Sequence, residues 1–295
     1  MTSMSPAEQT TASTARRRSA ARAVAGRARR SARAIWERAQ PFQLPRYARV
    51  TPTIGGDDPL TPFLPPTIQS LSVAATSPEA RHAVLDTLRA LTPSDFHMGQ
   101  QIYLEWGEAR YGQFWTVANL ATTLWAAARL LQPKTYLEIG VQRGRSAAVV
   151  GAVSPDCAIY GFDLWIEDYA GTSNPGPDFV RGELARVGHR GGVTLVSGDS
   201  RRTLPKFLAA HPDLYFDLIT VDGDKSVGGI ASDFASSLPR LKVGGIVVFD
   251  DLAVKPVLRR IWNRVIREDR RFVEWECDNG THGVAAAIRV RDGGG

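Results

Sequence analysis

Tyr136-Leu137-Glu138-Ile139-Gly140-Val141-Gln142-Arg143-Gly144-Arg145-Ser146 is the stretch on which the reading of the fold turns. The residues from Thr135 to Ile139 have the β-branched and aromatic content of a short strand, and two glycines four apart follow before a helical pattern begins. A strand that passes through a glycine turn into a helix leaves backbone N–H groups free at the helix start, where a nucleotide-like ligand can be received. A dinucleotide fingerprint would run G-x-G-x-x-G from Gly140, but Gln142 and Arg145 stand where its second and third glycines belong, which weakens a pyrophosphate reading. The same glycines would also serve a tight turn with no ligand at all.

Downstream of this loop, strand, turn and helix repeat. Candidate strands are Thr135–Ile139, Ala158–Phe162, Val193–Val196, Phe216–Val221, Ile246–Phe249, Phe272–Cys277 and Val284–Arg289. Helical stretches separate the first five, which requires crossovers and so a mostly parallel sheet. Only the short Asp278–Gly283 connection joins the last two, which predicts an antiparallel hairpin at one side. The expected fold class is α/β: a doubly wound, mostly parallel seven-stranded sheet with a C-terminal antiparallel hairpin and an N-terminal helical or irregular extension.

Upstream, helical spacing is read over Pro78–Leu91 and about Glu108–Leu131, the second closed by Pro133. Seven prolines and two adjacent glycines between residues 40 and 68 exclude long helices and central strands there. Residues 1–50 hold eleven arginines against Glu8 and Glu37, a net +9, so residues 51–295 carry −3 of the chain's +6. The mildly acidic body lacks the footprint of a nucleic-acid binder. The first 35 or so residues, rich in Ser, Thr, Ala and Arg, cannot bury enough surface to offset ordering entropy and read as a disordered or conditionally helical tail. A solvated tail, a contact with RNA or anionic lipid, and an organellar leader all remain open for it. The chain divides into a basic tail over 1–40, a proline-rich arm and helix over 41–94, and an α/β domain over 95–295. No apolar run approaches the roughly 18 to 20 residues of a membrane span. Cys157 and Cys277, without paired spacing, read as buried thiols of a reducing, cytoplasmic setting. Homo-oligomerisation is left open.

Acidic residues recur at predicted strand ends. Glu138 precedes the first glycine, Asp163 follows the second strand, and Asp199 with Ser200 follows the third. S-adenosylmethionine carries no phosphate, an ammonium group that Glu138 can meet, a ribose that Asp163 can bind, and an adenine edge within the scope of Asp199 and Ser200. Each acid can equally be a cap or turn residue. The strongest chemical signal is Val221-Asp222-Gly223-Asp224-Lys225-Ser226 together with Val248-Phe249-Asp250-Asp251. Adjacent strands lie about 4.8 Å apart, so neighbouring fourth and fifth strands would bring Asp222, Asp250 and Asp251 together. Three carboxylates there repel unless a pKa rises or a cation intervenes, and an all-oxygen donor set suits Mg²⁺ or Mn²⁺. Helix capping by Asp222, Asp224 and Asp251 is the plainer alternative.

The E-x-G-x-x-x-G pattern from Glu138 resembles motif I of class I S-adenosylmethionine-dependent methyltransferases. The run from Asp222 through Leu238-Pro239-Arg240-Leu241-Lys242-Val243-Gly244-Gly245 to Asp250-Asp251 resembles those related to macrocin O-methyltransferase, and Gly198–Lys206 is similar to a segment of the same group. The likeness spans roughly residues 100 to 290. It implies a Rossmann-like domain that binds S-adenosylmethionine through Glu138, Gly140, Gly144, Ser146, Asp163, Asp199 and Ser200. It also implies magnesium on Asp222, Asp250 and Asp251, as in the catechol and caffeoyl-CoA O-methyltransferases. Lys225 matches a lysine of those two branches, whereas they have Asn at the place of Asp251; many other relatives have His at 225, with Tyr and Glu where this chain has Val227 and Gly228. The expected activity is O-methylation of a small hydroxylated molecule such as a sugar, a natural product or a catechol-like compound, with Lys225 or Asp224 as catalytic proton acceptor. A metal-independent methyltransferase, or a non-catalytic cofactor-binding adaptor with an Arg-rich tail, are the rival readings. Trp165, Tyr169, His189 and the loop from Gly171 to Asp178 are candidates for the acceptor pocket or for plain packing.

Overall fold

Seven strands form one sheet: β1 (Thr135–Ile139), β2 (Ala158–Asp163), β3 (Val193–Ser197), β4 (Phe216–Val221), β5 (Leu241–Asp250), β6 (Phe272–Cys277) and β7 (Val284–Arg289). Their order is β3-β2-β1-β4-β5-β7-β6. The first five pair in parallel, and β7 runs antiparallel to both β5 and β6. All seven expected strands and the hairpin are therefore present, with β5 starting at Leu241 rather than at Ile246. The computed structural model describes residues 67–168, 171 and 173–291. The basic tail, the proline-rich segment up to residue 66, and Tyr169 lie outside the described residues.

Nine α-helices are described: α1 (Ile68–Ala75), α2 (Pro78–Ala90), α3 (Asp95–Tyr111), α4 (Leu120–Leu131), α5 (Arg145–Val153), α6 (Pro177–Arg186), α7 (Ser200–Ala210), α8 (Val227–Ser237) and α9 (Pro256–Trp262). Strand alternation sorts the core into two layers. Tyr136, Leu218, Ile246, Val248, Ala286 and Ile288 face a cluster built with α1, α2, α4, α5 and α6. Leu137, Ile139, Ile219, Val221, Val247, Phe249, Ala285 and Ala287 face the opposite cluster, built with α7, α8 and α9. On that second face Phe249 stacks on Trp262 at 5.9 Å, and both are fully buried; each such side chain contributes roughly 1.5 to 3 kcal/mol relative to exposure. Small side chains allow close approach on the first face, where Ala126, Ala127 and Ala128 of α4 are wholly inaccessible. Among the described residues no helix is long and apolar enough to cross a membrane.

The helix expected over Glu108–Leu131 is instead two. Gly112 adopts φ 56° and ends α3, and Asn119 starts α4 with a capping box in which its side chain accepts from Thr122 N–H while the Thr122 hydroxyl accepts from Asn119 N–H. Helical spacing runs through this break only by coincidence: Phe114, inside the span expected to be one helix, is 83 % exposed. The strand order reverses between β1 and β4, which are neighbours. In an open doubly wound sheet that reversal opens a crevice beyond the carboxyl ends of the strands, and the candidate residues converge there.

Candidate active site at the carboxyl edge of the sheet

The glycine loop is shaped by its closeness to β4. At Gly140, with φ 90°, an added Cβ would lie 2.3 Å from the Asp222 carbonyl oxygen, so no side chain fits. The loop is stitched to both neighbours, Gly140 N–H donating to Phe162 O at 2.9 Å and Asp222 N–H to Ile139 O at 2.8 Å. Gly144, at φ 76°, precedes α5 without a side-chain cap, and its missing Cβ leaves room for Val180. The first N–H groups of α5 therefore receive no protein side chain at this cap, as a ligand-receiving helix start requires.

Glu138 is fully buried at the end of β1. One of its oxygens accepts from the Ser146 hydroxyl, and the other, Oε2, is buried without a partner. Burial pushes the carboxyl up to about 8; Ser146 opposes the rise, and Asp222 and Asp163 add to it. Asp163 has a different environment: Oδ2 accepts from Val141 N–H at 2.7 Å and Gln142 N–H at 2.8 Å, and Oδ1 from Trp165 N–H at 2.6 Å. It clamps the glycine loop to β2, and a carboxylate with about four acceptor sites retains about one. Asp199 caps α7 through Arg201 N–H and pairs with the Arg201 guanidinium at 2.7 Å. Ser200 donates to the buried Asp233 carboxylate of α8 at 2.7 Å. The structure thus gathers Glu138, Gly140, Gly144, Ser146 and Asp163 about one loop, while Asp199 and Ser200 spend their side chains on protein partners.

On the other side of the switch point, β4 and β5 pair with Val221 opposite Phe249, so Asp222 and Asp250 leave neighbouring strands at the same level. One carboxylate oxygen from each of Asp222, Asp250 and Asp251 lies within 4.8 Å of the others. Lys225 reaches into the group, its Nζ 2.5 Å from Asp222 Oδ1 and 2.9 Å from Asp251 Oδ2. Burial raises the Asp250 carboxyl to about 8, with Asp222 and Asp251 adding to the rise. Burial favours the neutral amine of Lys225, yet Asp222, Asp251 and Asp250 together hold its ammonium above the usual lysine range. In this arrangement its three acidic neighbours hold Lys225 as the ammonium. Asp224 is engaged as well: it accepts from Ser226 N–H at 2.8 Å and from the Ser226 hydroxyl at 2.6 Å, contacts that hold its carboxyl below the usual range and start α8.

Does a divalent cation suit this donor set? The three oxygens come from hard carboxylates, and Lys225 supplies one positive charge among three acids, leaving Asp250 the least compensated. An oxygen-binding ion such as Mg²⁺ or Mn²⁺ fits the deficit and the chemistry.

His282 was not legible in the sequence. Its Nδ1 lies 2.6 Å from Asp251 Oδ1, reaching over from the turn between β6 and β7. Asp251 itself sits at φ 62°, a left-handed conformation uncommon for a non-glycine residue, which turns the chain sharply after β5. Only the pairing of β7 with β5 brings His282 here. Of the pocket candidates, Trp165 stays at the carboxyl edge, donating from Nε1 to the Ser197 hydroxyl at 2.9 Å. His189 lies 2.8 Å from the Cys157 carbonyl oxygen before β2, at the opposite edge of the sheet, and is a packing residue. Cys157 is buried and its thiol is pushed up to about 12 by burial, whereas Cys277 is only partly buried; both are free.

Sheet order, glycine loop and acidic strand ends together define a doubly wound α/β domain of the class I methyltransferase type. Residues 137–252 match the family described as a methyltransferase domain, which supports S-adenosylmethionine-dependent methyltransferase activity. No curated protein matches it. Among solved structures it is similar to CalS11, a calicheamicin methyltransferase, at 23 % identity over 72 % of this chain and 93 % of that one, with a TM-score of 0.45. It is also similar to TomG from Streptomyces achromogenes, an O-methyltransferase of tomaymycin synthesis solved with S-adenosylmethionine, at 19 % identity over 75 % and 93 % of the two chains, TM-score 0.47. A third is the Podospora anserina methyltransferase PaMTH1, at 19 % identity over 72 % and 89 %, TM-score 0.45.

Proposed function

We propose that this enzyme methylates a hydroxyl oxygen of a small molecule and uses a divalent cation held by Asp222, Asp250 and Asp251. The observation that carries this reading is the convergence of the three carboxylates beside the crevice, with Asp250 short of a compensating charge. When bound, S-adenosylmethionine supplies a sulfonium methyl, and the cation supplies the charge that orients an acceptor hydroxyl and lowers its pKa.

The protein's own groups divide the remaining work. Glu138 and the start of α5 hold the cofactor's amino-acid end, with Ser146 fixing the Glu138 carboxylate. Asp163 keeps the loop closed and offers its remaining acceptor site to the ribose; Asp199, as the cap of α7, and Ser200, bonded to Asp233, frame the adenine side. Asp224 organises the turn into α8 instead of taking a proton. Lys225 keeps its proton while Asp222 and Asp251 hold it; with a cation on those carboxylates that hold would weaken, and only after the ammonium had released its proton to solvent would the amine be able to take the hydroxyl proton.

The test is a screen of hydroxylated compounds with cofactor and Mg²⁺, read as a product heavier by one methyl with release of S-adenosylhomocysteine. Activity should vanish in EDTA and return with Mg²⁺ or Mn²⁺. A second reading, metal-independent transfer, draws on Lys225 already lying across two of the acids; full turnover in EDTA would favour it.

A further inference from the structure

Two arginines flank Gly144, and the structure treats them differently. Arg143 Nη1 donates to the Ser173 hydroxyl at 2.8 Å and to its carbonyl at 3.2 Å, and the guanidinium lies 4.4 Å from the Phe179 ring centroid. It ties the loop before α6 to the glycine turn, with only its Nε buried without a partner, against two such nitrogens in Arg145. Arg145, the first residue of α5, has its guanidinium 4.4 Å from the ring centroid of Phe96 on α3, and both Nε and Nη1 are buried without a partner. Across the same loop the Oε2 atom of Glu138 is also buried without a partner. Leaving such donors and acceptors unpaired costs about 1 to 3 kcal/mol each, more for charged groups, so native proteins give them a partner, whether a ligand or an ordered water.

The pair is complementary in chemistry, a carboxyl and a guanidinium, yet not joined. Glu138 is held back by Ser146, and Arg145 is held under Phe96. The field of Arg145 falls first on Asp250 and Asp222 and then on Glu138, so the two groups are near enough for each to influence the other's charge. An unjoined buried carboxylate and guanidinium at one helix start match a zwitterion that carries an ammonium and a carboxylate on one carbon.

We propose that Arg145 is a cofactor-binding residue that takes the α-carboxylate of S-adenosylmethionine, opposite Glu138 on the ammonium, with Phe96 roofing the guanidinium. The proposal rests on the cofactor reading above. It adds a specificity: the site selects the intact amino acid over an adenosyl thioether that lacks the carboxylate. A guanidinium donates two parallel hydrogen bonds to a carboxylate, which lysine cannot reproduce.

Calorimetry with two probes tests this, S-adenosylhomocysteine and its decarboxylated analogue, which keeps the ammonium. The parent should prefer the intact molecule by about 10- to 100-fold, the range of a charge-assisted pair. Arg145→Gln should bring the two affinities within about threefold by weakening only S-adenosylhomocysteine, and Glu138→Gln should weaken both probes. Arg145→Lys should fall between parent and Gln, and it provides the comparison if Arg145→Gln loses its thermal transition. A parent that binds neither probe would defeat the cofactor reading itself. A parent that binds both alike, an Arg145→Gln variant that keeps the parental ratio, or one that instead raises KM for the acceptor with unchanged S-adenosylhomocysteine affinity would overturn the assignment of Arg145 alone.

Discussion

The two halves of the crevice handle charge in opposite ways. On the β1–β2 side acids are few and separately managed: Asp163 is almost saturated by backbone N–H groups, and Glu138 is buried with one oxygen unpaired. On the β4–β5 side three acids crowd within 4.8 Å, and Lys225 and His282 are drawn against them. A dry pocket that leaves single charges unpaired selects an organic ion of matching sign, because the unpaired group gains most from a partner. A crowd of carboxylates selects a small cation of high charge density, because repulsion among the acids is relieved by any charge placed between them.

If the halves are as separable as this contrast implies, substitutions should affect them independently. The largest effect is expected at Asp250. Asp250→Asn should lower turnover by roughly 100-fold or more while S-adenosylhomocysteine affinity stays within about threefold, since alignment of the acceptor is lost and cofactor capture is not. Steady-state kinetics beside calorimetry reads both, and an equal loss in the two would dissolve the distinction.

Breaking the buried ion pairs of Lys225 is next. Lys225→Met should destabilise the metal-free protein by about 3 kcal/mol, because it leaves the acids uncompensated, and Mg²⁺ should recover more stability in the variant than in the parent. Thermal unfolding with and without the ion checks this; a variant as stable as the parent in EDTA would mean that the acids need no cation.

A subtler expectation sharpens the other half. With its carboxyl raised to about 8 by burial, Glu138 carries a proton at pH 7 in the unliganded protein. The cofactor's ammonium favours the ionised form, so binding S-adenosylhomocysteine at pH 7 should release up to one proton, and less as pH rises past 8. Calorimetry in buffers of different ionisation enthalpy measures it, and Glu138→Gln should abolish the release.

The smallest effect is on acid stability. His97 on α3 is buried with Nδ1 unpartnered, and burial, aided by Arg145 and Arg143, lowers it to about 4. Its folded pKa is below the unfolded value of 6.5, so its contribution is whole above about 6.5 and is lost as pH falls toward 4. His97→Gln should flatten stability over that window in a chemical denaturation series, and an unchanged slope would remove His97 from the account.

Much of this architecture was legible because it rests on local patterning. Short β-prone runs separated by helical stretches specify parallel crossovers, and an acid placed directly after a strand must emerge at the carboxyl edge whatever the neighbours are. Asp222, Asp250 and Asp251 could be assigned to one place on that basis. Helix boundaries were less legible: the periodicity from Glu108 to Leu131 continued across Gly112–Asn119, where Gly112 and the Asn119 capping box decide otherwise. Asp199, Ser200 and Asp224 show the same limit at the site, since a side chain at the right strand end is free to turn back and cap the next helix.

The sequence by itself determined the element order, the parallel crossovers and the chemistry of the strand ends, because hydrophobic period, glycine turns and residue type are carried by neighbours in the chain, whereas the switch point between β1 and β4 came from the sheet order. Tertiary structure alone decided which charges find partners. That Lys225 lies across two aspartates, that His282 reaches Asp251 from the β6–β7 turn, and that Glu138 and Arg145 stay apart and unpaired all depend on distances between segments remote in sequence or on the packing that surrounds them. Electrostatic energies change steeply with those distances and with burial, and neither is written in any local stretch of the chain.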